Sequence, residues 1–384
     1  MEKTVLGMHS KAVPSMKEIK KLALTVINDN PTNTGLGRYA QVLFSTLNSL
    51  DVDLKFLSFS FGIKTLDSTF PGNVIREETD HVLTRVFPPI KAFPDFLRFT
   101  RSRIPIGEFR KVIEELSSPN EEGRITHYTN PGIYPFIFDD RTVVTVHDLI
   151  FTQKHPLAEI VSVSNNGRNI NLYKRAPYVI TFTHALKREI ESEGFEGRVE
   201  IIYPPVSDFI HEMRGAKKII RKKLNLPDDK ILLLSVSTDS PNKNLKALKG
   251  MMELMDDRFK LVRVGPPIGN SITFNNVDDS TLNDIYNASD VLVFPSIAEG
   301  FGIPIVESFK VGLPVVASNI EVVREVAGDS AIVTEPTPVL LRKAVFESLD
   351  VAETLSTKGK ERAALLFSSE AFTNKMVEFY GRIE

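Results

Sequence analysis

Short apolar, β-branched runs alternate along the chain with stretches whose apolar residues recur every three or four positions. The first run, LALTVIN at 22–28, is bounded by the turn-rich DNPTNTG. RYAQVLFSTLNSL follows, with Tyr39, Val42, Leu43, Leu47 and Leu50 on one helical face. Further strands are predicted at 53–60, 142–148, 178–183 and 199–205. The pattern then restarts, with strands at 230–238, 259–265, 290–296 and 314–319 and helices at 245–255, 281–289 and 304–312. A glycine closes the last of these helices in the usual place. Strand–helix–strand order predicts an α/β fold of doubly wound parallel sheets. The continuous Val/Ile/Leu runs suit strands covered on both faces.

At 384 residues the chain exceeds one ordinary core, since domains average roughly 150 residues. The stretch IIYPPVSDFIHEMRGAKKIIRKKLNLPDD, rich in prolines and bases, suits a junction. It divides the chain into domains at 1–205 and from 206 onward. The basic run Lys217, Lys218, Arg221, Lys222 and Lys223 reads as a solvated helix face. Composition is 42% hydrophobic and 25% charged, in the globular range. A formal net charge of -2 does not point to nucleic acid as a partner. There is no cysteine, which excludes disulfides, thiolate nucleophiles and cysteine-ligated metals. No apolar leader opens the sequence and no run approaches the ~20 apolar residues of a membrane span. A cytoplasmic protein is the expectation.

Ligands of doubly wound sheets bind at the carboxyl ends of the strands, so the residues at those ends carry the functional argument. Gly35 and Gly37 precede a helix predicted to begin near Arg38. There, backbone amides and the helix dipole favour an anion. His147 and Asp148 end the strand at 142–148; the histidine suits donation to a hydroxyl or proton transfer, and Asp148 reads as a turn cap. Lys243 lies in the loop before the helix at 245, where it can neutralise a phosphate. In FPSIAEGFGIPIVESFKVGLPVVAS, Glu299 falls in the loop after a strand and Glu307 in the first turn of a helix. The amides of Phe301, Gly302 and Ile303 lie between them. Two carboxylates repel phosphate but suit hydroxyl donors such as a ribose or a hexose. The aspartates of DVD at 51–53 read as a turn and not as a metal site. Neither half carries G-x-G-x-x-G with an acidic residue ~20 positions on, which argues against a dehydrogenase.

PSIAEGFGIPIVESFKVGLPVVASNIEVVREVAGDSA at 295–331 resembles the signature of retaining GT-B glycosyltransferases of family GT4, with Glu299 and Glu307 as the E-x7-E pair. GLGRYA, VHDLIFTQKHP, SPNKNL and LNDIYNASDVLVFPS resemble other segments of that family and extend the likeness over most of the chain. The resemblance implies two Rossmann-like domains facing a cleft, with a C-terminal helix at 370–384 that crosses back to the first and the nucleotide-sugar domain at 206–369. It implies a hexose donor of UDP-glucose or GDP-mannose type and no metal or other cofactor. Gly35, Gly37 and Arg38 would face the donor phosphates and Lys243 the leaving diphosphate. Glu307 would bind the ribose. Glu299 and the amides at 301–303 would hold the hexose, and His147 would lie over the sugar. The acceptor would be a glycan, a lipid-linked sugar or a protein. Residues 86–116, with Lys91, Arg98, Arg101, Arg103, Arg110 and Lys111 among aromatics, read as a helix face over the core, with peripheral membrane contact as the alternative. Two departures stand out: Asn242 replaces the family's arginine, with Arg38 and Arg263 as compensating cations, and His184 replaces a serine. A GT-B epimerase or phosphorylase and a non-catalytic sugar-nucleotide-binding protein are the competing readings.

Overall fold

The computed structural model describes residues 22–28, 35–50, 52–61, 74–79, 124–131, 138–150 and 170–383. The segment 86–116 lies outside these residues. Strands β1 (Ala23–Asn28), β2 (Asp53–Phe61), β3 (Val74–Thr79), β4 (Ile125–Tyr128), β5 (Thr142–Thr145), β6 (Tyr178–Thr181) and β7 (Arg198–Ile201) form one sheet in the order β3-β2-β1-β4-β5-β6-β7. A second sheet holds β8 (Ile231–Val236), β9 (Phe259–Val264), β10 (Ile272–Phe274), β11 (Val291–Phe294), β12 (Val315–Ser318) and β13 (Ile332–Thr334) in the order β10-β9-β8-β11-β12-β13. All described pairings are parallel. Each sheet reverses its strand order once, between β1 and β4 and between β8 and β11. Those switch points are where doubly wound sheets open a crevice.

The order follows from the sequence pattern. β11 and β12 are buried at every position, as VLVF and VVAS require. Helix α1 (Gly35–Ser49) buries Tyr39, Ala40, Leu43, Phe44 and Leu47. It starts at Gly35, three residues before the predicted start, so both glycines belong to its first turn. Helix α2 (His184–Ser192) is capped by Thr183, whose hydroxyl accepts from the Leu186 amide. Helices α3 (Lys217–Lys223), α4 (Leu245–Glu253), α5 (Asp279–Ala288), α6 (Ile303–Val311), α7 (Glu321–Ala327), α8 (Pro338–Asp350), α9 (Ala352–Leu366) and α10 (Ser369–Tyr380) complete the described set. Gly312 ends α6 at φ 76°, a left-handed position that glycine adopts without a steric penalty. The run at 217–223 is only partly a solvated face. Arg221 is buried and pairs with Asp290 at 2.6 Å, and Lys223 pairs with Asp284 at 2.5 Å.

One apolar core runs through both sheets, from Leu24, Val26 and Leu43 to Leu232, Leu234 and Val262. Helix α10 repeats its buried residues at helical spacing, with Phe372, Met376, Phe379 and Tyr380 inward. These residues meet the first sheet. Phe379 packs edge-on to Tyr178 at 6.2 Å, and the Tyr380 hydroxyl lies 2.5 Å from His127 Nδ1. His127 Nε2 meets Thr145 Oγ1 at 2.7 Å, and Thr145 Oγ1 meets the Tyr39 hydroxyl at 3.1 Å. This buried chain of polar groups seats the C-terminal helix. Burial holds the His127 pKa down at about 3, with the nearby His147 acting in the same direction, so the ring is neutral. Tyr380→Phe leaves Nδ1 without its partner in a dry site and is expected to lower unfolding free energy by about 1–3 kcal/mol, read from urea denaturation with an unchanged m-value.

Candidate functional site

The carboxyl ends of β5, β8 and β11 meet in one place. Gly300, past the end of β11, lies so close to the first half that an added Cβ would stand 1.7 Å from the His147 carbonyl oxygen and 3.2 Å from Asp148 Cβ. Only glycine fits. The next residue, Phe301, is buried among Phe182 at 6.1 Å, Tyr203 at 6.0 Å and Phe367 at 5.6 Å. Gly302 takes φ 103° and caps α6. Within the described residues no partner binds the amides of Phe301, Gly302 or Ile303, which lie at that helix N-terminus.

Lys243 ends a 3-10 turn, Pro241–Lys243, and its Nζ pairs with Glu299 Oε1 at 2.6 Å. Three hydrogen bonds fix this meeting. Asn242 Nδ2 donates to the Ala298 carbonyl at 3.0 Å, and the Ile297 amide donates to the Asn242 carbonyl at 2.8 Å. Asn244 Nδ2 donates to the Pro295 carbonyl at 3.2 Å. Asn244 sits at φ 51°, a left-handed conformation that asparagine tolerates. The lysine turn and the glutamate loop are therefore stitched together by side-chain amides. Asn242 is buried and acts in that stitch. In sequence, Asn242 shows only as a missing cation; its Nδ2 bond has no signal in residue spacing.

His147 donates Nε2–H to the Thr129 carbonyl at 2.7 Å, since a carbonyl can only accept. Its ring stands edge-on to Tyr39 at 5.0 Å and Phe182 at 4.8 Å. Burial lowers its pKa to about 4. The ring is neutral and its one N–H is committed, which leaves Nδ1 as an acceptor. Of the roles expected for His147, accepting a hydroxyl proton is the one this geometry serves. Asp148 caps its turn as expected, taking the Ile150 amide at 3.2 Å. Burial raises its pKa to about 6, with Glu299 pushing the same way and Lys243 opposing.

Glu307 is buried in the second turn of α6, since the helix opens at Ile303 and holds no acidic residue in its first turn, where the sequence places it; burial raises its pKa. Its Oε2 accepts from the Tyr286 hydroxyl at 2.5 Å, and its Oε1 lies 3.4 Å from Arg38 Nη1. Arg38 also reaches Asp279 at 3.2 Å and lies over the Phe209 ring at 5.1 Å. The guanidinium placed among anion-binding groups by sequence is thus spent on carboxylates of the other half. Gly35 is exposed and Gly37 buried in the first turn of α1. Tyr286 escaped sequence reading, although its spacing 21 residues before Glu307 joins two helices that flank β11. Asp53 opens β2 at the amino end of the strand and is bound by Arg124, so the DVD stretch lies away from the cleft. His184 starts α2 and, with its own amide and that of Ala185, donates to Glu325 of α7 at 2.8–3.3 Å.

Residues 216–347 match the family of glycosyl transferases group 1. The O-antigen chain mannosyltransferase B of Escherichia coli is 29% identical over 170 residues, 38% of this chain and 45% of that protein. The chain spans roughly half the length of the first curated relatives it matches. WaaG, a glycosyltransferase involved in lipopolysaccharide biosynthesis, superimposes with TM-score 0.66 at 15% identity over 93% of this chain and 99% of its own. HepE of Anabaena, solved with UDP-glucose, superimposes with TM-score 0.68 at 15% identity over 92% and 98%. The fold is GT-B. The matched segment holds Lys243, Glu299, Glu307 and the unpaired amides, and the first half brings His147, Asp148 and Arg38 against them. Among the described residues no helix is long and apolar enough to cross a membrane, and no cluster of three His, Asp or Glu side chains could hold a metal.

The Asp148 environment sets a pH test. Its folded pKa lies above the unfolded value of 3.8, so the fold penalises the ionised form. The penalty is absent below the unfolded pKa and complete above about 6. Asp148→Asn is expected to gain on the wild type by of order 2 kcal/mol between pH 4 and pH 7, measured as the difference of chemical unfolding free energies across that range.

Proposed function

We propose that the chain is a retaining glycosyltransferase of GT4 type. It moves a hexose from a nucleoside diphosphate sugar, of UDP-glucose or GDP-mannose type, to a hydroxyl of a glycan, lipid-linked or protein acceptor. The observation that carries this reading is the meeting of Lys243, Glu299 and the unpaired amides at 301–303 at one helix N-terminus, against His147. The relative named a mannosyltransferase favours mannose as the transferred sugar. The fold relative solved with UDP-glucose supports a nucleotide sugar in the same cleft. No metal or other cofactor enters the proposal, and the protein acts in the cytoplasm.

Each group has a task. Lys243 balances the charge that builds on the departing diphosphate, where a preorganised cation acts with little reorganisation. Gly35 and Gly37 supply first-turn amides on the opposite wall. Glu299 and the amides of Phe301, Gly302 and Ile303 hold hexose hydroxyls as acceptor and donors respectively. Glu307, aimed by Tyr286, accepts from the ribose once Arg38 releases it. His147 offers Nδ1 to a sugar hydroxyl. The bond from the anomeric carbon to the diphosphate oxygen breaks with its electron pair staying on phosphate. The acceptor oxygen attacks from the same face, and its proton goes to the departing phosphate oxygen. Configuration is retained without a covalent protein intermediate.

Glu299→Ala is expected to abolish hexose transfer while circular dichroism and melting remain native. Lys243→Ala is expected to lower kcat by about 10²–10³. Both are measured as nucleoside diphosphate release from a donor panel with and without acceptor. Unchanged product formation in Glu299→Ala refutes the site assignment. Release that is the same with and without acceptor argues for hydrolysis or binding alone.

A further inference from the structure

Three arginines are buried among the described residues: Arg124, Arg221 and Arg263. Two are neutralised. Arg124 pairs with Asp53 and Arg221 with Asp290. Arg263, with no exposed surface, meets only neutral acceptors. Its Nη1 donates to Ser235 Oγ at 2.8 Å and Ser237 Oγ at 3.0 Å, its Nη2 to the Ser237 carbonyl at 2.9 Å, and its Nε to the Pro266 carbonyl at 3.3 Å. Asp239 is the acid that acts on it. That carboxylate is exposed and makes no hydrogen bond to it. An unpaired buried cation is costly, and chains ordinarily supply a counter-charge. Burial brings the Arg263 pKa down to about 10, so the cost falls on a group that stays charged.

The position of this charge explains why it is kept. Arg263 lies near the end of β9, and Ser237 directly follows β8, at the carboxyl edge of the second sheet beside its switch point. Six residues after Ser237 the same loop delivers Lys243. Gly265, at φ 131°, lets the exit of β9 close on this loop. A Cβ there would stand 2.0 Å from the Ser237 carbonyl and 3.2 Å from Arg263 Nη2. Ser237 is half-buried. Its oxygen accepts from Arg263, so its own O–H remains to donate to an anion.

We infer that Ser237 is a contact for the donor's diphosphate and that Arg263 is the positioning residue beneath it, with the diphosphate as the missing counter-charge. The inference rests on the transferase reading above and deepens it. It accounts for the cation that Asn242 does not provide. The charge reaches the ligand through a hydroxyl because Arg263 itself is sealed from solvent.

The test is isothermal titration of wild type, Arg263→Met, Arg263→Lys and Ser237→Ala with UDP, GDP, their nucleosides and inorganic pyrophosphate, with ligand-free melting alongside. For the nucleotide that binds, Arg263→Met is expected to weaken diphosphate binding about tenfold or more. Its nucleoside affinity stays within about twofold of wild type and its melting temperature equals or exceeds it, since an unpaired buried charge has been removed. Arg263→Lys restores most of the affinity, and Ser237→Ala loses diphosphate affinity selectively. Unchanged diphosphate affinity in both Arg263→Met and Ser237→Ala overturns the inference. So does an equal loss for diphosphate and nucleoside, which marks a merely structural role. If wild type binds pyrophosphate in an Arg263-dependent way but no nucleoside diphosphate, the anion seat stands and the transferase reading fails. If it binds neither, both fail.

Discussion

The contact of Gly300 with the His147 carbonyl governs the rest of this molecule. Two parallel sheets could face each other at many separations. Here the loop leaving β11 lies against the strand end of β5 so closely that no side chain fits between them. That contact sets Glu299 beside Asp148 and drops Phe301 into a cage of Phe182, Tyr203 and Phe367. The ring cage resists sliding because cores pack at crystal-like density. The polar site is thus held by an apolar hinge pin at one residue's distance.

Around this pin the charges are paired with one another. Lys243 rests on Glu299, and Arg38 reaches across to Glu307 and Asp279. These pairs keep buried or half-buried ions from standing alone, which would cost several kcal/mol. They also occupy the groups a nucleotide sugar needs. Under the proposed function, binding is an exchange of partners: phosphate takes the lysine, and ribose hydroxyls take Glu307 from Arg38. A ligand shifts such an equilibrium only by what it gains over the internal pairs. Arg263 is the exception, a cation with no internal carboxylate, and the exchange argument does not apply to it.

Much of this was legible in the sequence. Val/Ile/Leu runs marked the central strands, and strand ends marked the site. Both Lys243 and Glu299 fall in loops at strand ends as expected, but their direct pairing, 56 residues apart, has no signal in the sequence. What could not be read was of two kinds. The short edge strands β10 and β13, three residues each, carry too little pattern to separate from loop, and β4 hides a histidine held neutral by burial and by the nearby His147. Partnerships also have no linear signal. Nothing in the order of residues told that Arg38 would face carboxylates, that Asn242 would staple two loops, or that Tyr286 would aim Glu307.

The proposed exchange turns on one step, in which phosphate displaces Glu299 from Lys243 in the cleft between the two sheets. The most direct measurement is a crystal structure with a bound nucleoside diphosphate. A phosphate oxygen is expected about 2.7–3.2 Å from Lys243 Nζ, with the Lys243–Glu299 contact broken and the Glu299 and Glu307 carboxylates facing sugar hydroxyls. A nucleotide bound away from the carboxyl ends of β8 and β11, or one that leaves Lys243 on Glu299, would contradict it.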